Sequence, residues 1–151
     1  FIARRLLILA AEDIGNANPT ALVIANNCYQ AVNVIGYPES RIILSQAVTY
    51  LASSAKSNAA YMAINNAQSL VTKTGDLPVP LPIRNAPTGL MKKMDYGKGY
   101  QYAHAHPGNF VPQDYLGAEK RYYEPTEQGV EKKIKERLDK WRALTAEAKP
   151  K

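Results

Sequence analysis

Asn18-Pro19-Thr20-Ala21-Leu22-Val23-Ile24-Ala25-Asn26-Asn27-Cys28-Tyr29-Gln30-Ala31-Val32-Asn33-Val34-Ile35-Gly36-Tyr37-Pro38-Glu39 reads as one helix with its punctuation at both ends. Asn18 is a good N-cap residue, and Pro19 suits the first helical position, where its fixed φ helps and its missing N–H costs nothing. Leu22, Ala25, Cys28 or Tyr29, Val32 and Ile35 recur at three- and four-residue steps, which predicts one apolar helix face. Gly36 stops the helix. Pro38-Glu39 opens another, with a carboxylate near the positive end of its dipole.

The neighbouring stretches follow the same grammar. Phe1 to Ala11 is rich in Ala and Leu, both good helix formers, and Gly15-Asn16 breaks it. Beyond Glu39, Ile43, Ala47, Tyr50 and Leu51 lie along one helical face, and Ser53 to Lys56 forms a turn. Ser57 is placed to cap a fourth helix with an apolar stripe of Ala60, Ile64, Ala67 and Val71, ended by Gly75. Abundant alanine lets helices approach closely, and short connections make consecutive helices antiparallel neighbours. The expected fold is all-α, with a helical bundle over residues 1–76.

Residues 77–151 have another character. The alternating prolines of Leu77-Pro78-Val79-Pro80-Leu81-Pro82 exclude a helix and favour an extended strap. A short helix is expected from Pro87 to Met94, capped by Asn85 or Ala86. Residues 95–125 are rich in Gly, Pro and Tyr without periodicity, as expected of a segment that packs on or binds something. Thr126 is expected to start a last, amphipathic helix. Its stripe is Val130, Ile134, Leu138, Trp141 and Leu144, with Lys132, Lys133, Lys135, Glu136 and Lys140 largely off it.

The 151 residues suffice for a real core, and 46% hydrophobic with 21% charged residues argues against a disordered chain. The opening Phe1-Ile2-Ala3 lacks an initiator methionine and already reads as helix interior, so an upstream part is expected to have been removed. No apolar run approaches the ~18 residues that a membrane span needs. Cys28 is the single cysteine and reads as a buried residue of a reducing compartment. Residues 1–80 hold five Lys/Arg against four Asp/Glu, and residues 81–151 fourteen against nine. The excess of positive charge therefore lies in the second half, which becomes the candidate face for an anionic partner.

Catalytic residues are not evident. Gly97-Lys98-Gly99-Tyr100 has glycines, but neither the spacing nor the hydroxyl of a phosphate-binding loop. His104 and His106 lack the company of a metal site and read as loop residues. Glu12 and Asp13 are sequence neighbours that point to different helix faces, so they are poorly placed for shared acid–base work. A helix-end turn suits them better, with Asp13 accepting backbone hydrogen bonds or a salt bridge. The stretch from Lys92 to Tyr102 interleaves bases with aromatics. Lys92, Lys93 and Lys98 suit the phosphates of single-stranded nucleic acid, and Tyr100 and Tyr102 suit stacking on its bases. Alternatively the tyrosines, Tyr115, Tyr122 and Tyr123 included, pin an irregular segment to the helical body.

Several motifs in order carry a family resemblance. They are Ala3-Arg4-Arg5, Ala11-Glu12-Asp13-Ile14-Gly15-Asn16-Ala17-Asn18-Pro19, Ser45-Gln46-Ala47-Val48-Thr49-Tyr50-Leu51-Ala52 and Lys56-Ser57-Asn58. Val79-Pro80-Leu81, Arg84-Asn85-Ala86-Pro87-Thr88, Tyr96-Gly97-Lys98-Gly99-Tyr100, Phe110-Val111-Pro112 and Tyr123-Glu124-Pro125-Thr126 follow. In this order they resemble the C-terminal region of the replication-associated recombination protein A (RarA/MgsA) group of AAA+ ATPases, to which the Werner helicase interacting protein is related. The resemblance implies a clamp-loader-collar-like oligomerisation bundle followed by a family-specific extension. It implies a homotetramer that acts at stalled replication forks on DNA, in the cytoplasm at the nucleoid, with single-stranded DNA-binding protein as a partner. ATP and Mg2+ would belong to an ATPase core N-terminal to this region, and the fragment itself would be non-catalytic. Arg4, Arg5, Glu12, Asp13, Arg84 and Asn85 would be structural motif residues. One departure is visible: only Gly117 to Arg121 separate Leu116 from Tyr122, a shorter linker than the family pattern implies.

Overall fold

A computed structural model describes residues 1–113, 115 and 121–148. The shortened linker after Leu116 falls almost entirely outside the described residues. Among those residues the secondary structure is all helical, as expected, with no strand. The longer elements are α1 (Ile2–Leu9), α2 (Thr20–Ile35), α3 (Ser40–Ala52), α4 (Ala59–Thr74), α5 (Gly89–Lys93) and α6 (Glu131–Ala148). None of the described helices is long and apolar enough to cross a membrane.

The chain divides into two compact units. The first comprises Phe1–Ser69 and Tyr122–Glu136; the second comprises the described residues of Leu70–Arg121 and Arg137–Lys151. The first thus takes in a stretch from the C-terminal part of the sequence.

In the first unit, Leu6, Ala10, Ile14, Ala21, Ala25, Cys28, Ala47 and Leu51 form the core shared by α1, α2 and α3. Four of these eight are alanines, and small side chains let helix axes come close. Cys28 is buried as expected, and burial pushes its thiol pKa up, which keeps it protonated and inert. α1 does not end cleanly. It widens into a π-helical turn over Ala10–Ile14 and tightens into a 3-10 turn over Gly15–Ala17, which turns the chain into α2.

Three expectations are corrected here. The buried line of α2 runs through Ala21, Ala25 and Cys28, whereas Leu22 and Ile35 face outward. The alanine line wins because close axes leave no room for leucine between them. Asn18 does not cap α2 with its side chain: Pro19 is the N-cap residue, and the Asn18 amide donates instead to the hydroxyls of Tyr50 (3.1 Å) and Ser54 (3.0 Å). The Asn18 Oδ1, the atom that a side-chain cap would use, accepts from the Tyr50 hydroxyl of α3 at 3.5 Å. The last helix begins at Glu131, not at Thr126, because Thr126 forms a side-chain turn that accepts the Gln128 N–H at 3.2 Å.

α4 departs from expectation in another way. Ser57 accepts the Ala59 N–H at 3.2 Å at its start, and Gly75 with φ +66° follows its end, both as predicted. The expected core stripe is not buried, however: Ile64 and Val71 are each 53% exposed, while Ala59 turns inward. Among the described elements, α1, α2 and α3 make the closely packed bundle, and α4 keeps an apolar outer face.

In the second unit, a 3-10 turn at Leu81–Ile83 follows the proline strap. The expected helix from Pro87 shortens to α5, and its cap is Thr88, whose hydroxyl accepts the Met91 N–H at 3.2 Å. Neither Asn85 nor Ala86 takes that place, since Pro87 keeps the residue before it extended. Phe110 and Trp141 stack with ring centroids 5.2 Å apart and planes at 2°. This contact orders the irregular segment and half-buries the aromatic of the α6 stripe. Val130 and Leu144 of that stripe remain exposed.

Candidate functional site

The densest polar arrangement surrounds Glu131, which is fully buried at the first turn of α6. Tyr123 donates its hydroxyl to Oε1 at 2.7 Å. Thr126 donates both its N–H (2.9 Å) and its hydroxyl (2.7 Å) to Oε2. The Ser57 side chain also helps to favour the charged carboxylate. The Tyr123 oxygen in turn accepts the Asn16 amide at 3.2 Å. Burial alone would raise the Glu131 pKa, but these hydrogen bonds together outweigh it and hold the carboxyl below its ordinary value. The Tyr123 pKa is raised, by burial first and also by the bond to Glu131 and its charge, so it remains a donor. The Val130 N–H donates to the Ala17 carbonyl at 2.9 Å beside this hub. Residues 122–136 are thereby latched onto the 3-10 turn Gly15–Ala17.

This hub is a structural anchor, because both carboxylate oxygens accept hydrogen bonds from protein donors. The sequence reading missed it. Asn16, Ser57, Tyr123 and Thr126 all lie within the motifs that carry the resemblance, but the glutamate that joins them looks like one more charge in a lysine-rich helix.

The basic, tyrosine-bearing segment lies in the second unit. Lys92 and Lys93 project from the last turn of α5 and are exposed. Lys98 is exposed, with its ammonium 3.0 Å from Asp95 Oδ1. Tyr96 is packed, with the Arg84 guanidinium 5.1 Å above its ring, and Arg84 also donates from Nε to the Val79 carbonyl. Gly97 donates to the Leu81 carbonyl at 2.8 Å. Tyr100 and Tyr102 instead expose more than half their surface, with Tyr102 tilted against His104 at 5.2 Å between centroids. The two readings of the tyrosines therefore divide by residue: Tyr96 and Tyr123 pin structure, while Tyr100 and Tyr102 present their rings. The turn also lacks the pattern of a cradle for ATP phosphates, since Tyr100 stands where a phosphate-binding loop needs a small hydroxyl. No group of three metal-ligating side chains occurs among the described residues.

The family model described as MgsA AAA+ ATPase C terminal matches residues 1–142. The chain belongs to this family. A replication-associated recombination protein A from Coxiella burnetii is 46% identical over 155 aligned residues, covering 99% of this chain and 35% of that protein. The Escherichia coli K12 protein of the same name is 40% identical, covering 91% of the chain and 32% of that protein. An ATPase WRNIP1 of Dictyostelium discoideum is 43% identical over 70% of the chain and 12% of its own length. The chain spans about a third of the length of the first two of these relatives.

As a member of the MgsA C-terminal family, the chain carries its remaining motif residues at scattered places. Arg4 and Arg5 are exposed on α1. Glu12 is half-buried and Asp13 exposed in the π turn. Asp13 contributes its main-chain carbonyl rather than its carboxylate, accepting the Ser57 N–H at 2.8 Å. Asn85 is exposed beside Arg84.

Proposed function

We propose that this chain is the self-association module of an AAA+ ATPase of replication-associated recombination, working as a homotetramer in the cytoplasm at the nucleoid. The observation that carries this reading is the outer face of α4. Tyr61, Met62 and Ile64 stay exposed on a helix whose inward residues include Ala59. Exposed apolar surface of this kind marks contacts with other chains. The process is read from the relatives' name. ATP, Mg2+ and the hydrolytic groups belong, in this reading, to the roughly two-thirds of the relatives' length that this chain does not cover. Single-stranded DNA-binding protein would then engage the whole ATPase. Light scattering from low to high micromolar concentration tests the reading. Concentration-dependent assembly that Ile64→Asp abolishes is expected; a monomer throughout would refute it.

A second reading has its own observation. Lys92 and Lys93 are exposed cations in the same stretch of chain as the exposed rings of Tyr100 and Tyr102, a composition that suits a single-stranded nucleic acid. Binding would weaken steeply with salt and fall with charge reversal at Lys92 and Lys93. A chain without DNA affinity at low salt would exclude this role for it.

A further inference from the structure

Three segments of the first unit converge around Glu131. One is the turn after α1, where the Asp13 carbonyl accepts the Ser57 N–H at 2.8 Å and a Cβ on Gly15 would lie 2.7 Å from the Ser57 carbonyl oxygen. The second is the entry to α4. There Ser57 is buried, accepts the Ala59 N–H at 3.2 Å and favours the charged form of the Glu131 carboxylate. The third is the strap of residues 122–131. Its Val130 N–H donates to the Ala17 carbonyl at 2.9 Å, and a Cβ on Gly129 would lie 3.3 Å from the Ala55 Cβ. The strap therefore touches both the turn after α1 and the entry to α4.

α4 depends on this junction. Ala59, in its first turn, is the one buried residue of the helix, and the close packing among α1, α2 and α3 does not extend to it. The buried part of α4 is thus its start. The strap is itself held mostly by polar contacts. Between residues 122 and 131 only Pro125 and Glu131 are buried, and the hydrogen bonds of Tyr123, Thr126 and Val130 supply the rest of the hold. Segments with few buried apolar contacts open at a lower free energy than the whole fold, and opening returns the Glu131 charge to water. We infer that the strap 122–131 is a clasp on α4: it opens as one unit, and its opening frees the first turn of α4 from the bundle while α1, α2 and α3 stay folded. Ser57 is the shared part, since the residue that supports Glu131 also caps α4 and bonds Asp13. Coupling of this kind is reciprocal. An event at the strap reaches the turn that carries Tyr61 and Met62, and a change at that turn reaches the strap.

Native-state hydrogen exchange on the whole chain tests the clasp, with helical circular dichroism as the check on folding. Tyr123→Phe removes the hydroxyl that stands between Asn16 and Glu131. Exchange should quicken about tenfold at the Val130 N–H and, in step, at the Ser57 and Met62 N–H groups, which bond Asp13 and Asn58. The amides of Cys28 and Leu51, in α2 and α3, should keep their wild-type rates. Ser57→Ala, made on the α4 side, should quicken exchange at Thr126 and Val130 across the junction. Faster exchange at Val130 with Ser57 and Met62 unchanged would overturn the inference, because the strap then frays alone. So would a Ser57→Ala effect confined to residues 58–62, which is only the loss of a cap. Equal acceleration at Cys28 and Leu51 would overturn it too, since the bundle would then open together with the strap.

Discussion

The Tyr123 hydroxyl lies 2.7 Å from Oε1 of Glu131, a carboxylate with no exposed surface. This single contact ties a residue that precedes α6 to the first turn of that helix. Asn16 extends the chain of bonds into the turn that precedes α2. A buried charge with both its oxygens hydrogen-bonded is costly to disturb, because loss of the acceptor strands the donors as well.

Replacing Glu131 with Ala should therefore destabilise the chain by about 3–5 kcal/mol, the cost of breaking a buried charged network from one side. Tyr123→Phe, which removes the shared hydroxyl but no charge, should cost about 1–2 kcal/mol. Urea denaturation followed by circular dichroism measures both. A change below the error of extrapolation for Glu131→Ala would contradict the structural role of the hub.

The pH dependence has a definite sign. The folded-state pKa of Glu131 is lowered, so its contribution is fully present above the ordinary carboxylate pKa of about 4.3 and is lost as pH falls through the folded value. The melting temperature of the wild type should fall on acidification more steeply than that of Glu131→Gln, and the two curves should converge at low pH. Parallel curves would show that the carboxylate is not linked to folding.

Gly129 should tolerate no side chain. Its φ is +51°, and a Cβ there would lie 2.1 Å from the Ala17 carbonyl oxygen. Gly129→Ala should cost more than about 2 kcal/mol, since left-handed strain and backbone displacement add. Gly15, with φ +50° and a Cβ position 2.7 Å from the Ser57 carbonyl, should behave similarly. By contrast, Gly99→Ala has left-handed strain but open space around it, and should cost about 1 kcal/mol.

The tyrosines should separate in mutagenesis. Tyr100→Ala and Tyr102→Ala should change stability by less than about 0.5 kcal/mol, as exposed substitutions do. In the nucleic-acid reading, each should weaken single-strand binding by about 1–3 kcal/mol, the worth of one stacked base. Tyr96→Ala, which removes the ring beneath Arg84, should instead loosen the turn against Leu81, read as faster amide exchange at Gly97. Fluorescence anisotropy on a labelled oligonucleotide and hydrogen exchange distinguish the two classes.

Local sequence alone determined α2, α3 and α4 and the breaks between them, but not the start of α6 or the π turn after α1. Periodicity predicted α2 and α3 closely, and Gly36 and Gly75 stand where the chain leaves a helix, because these are properties of neighbouring residues. The ordered motifs were also enough to point to the family. Tertiary structure decided which face of each helix is inside and what each polar residue is for. Ala21 rather than Leu22 is buried because α2 must approach α1 and α3 closely. Ile64 and Val71 were read as core because an apolar stripe is usually covered from within, yet nothing among the described residues covers them fully. Asn18 and Thr126 turned from helix starts into partners of Tyr50 and Glu131, since a side-chain donor goes to the acceptor nearest in space. Glu131, indistinguishable in sequence from the exposed charges around it, became the centre of the latch because Tyr123, Thr126 and Ser57 meet only when the chain is folded.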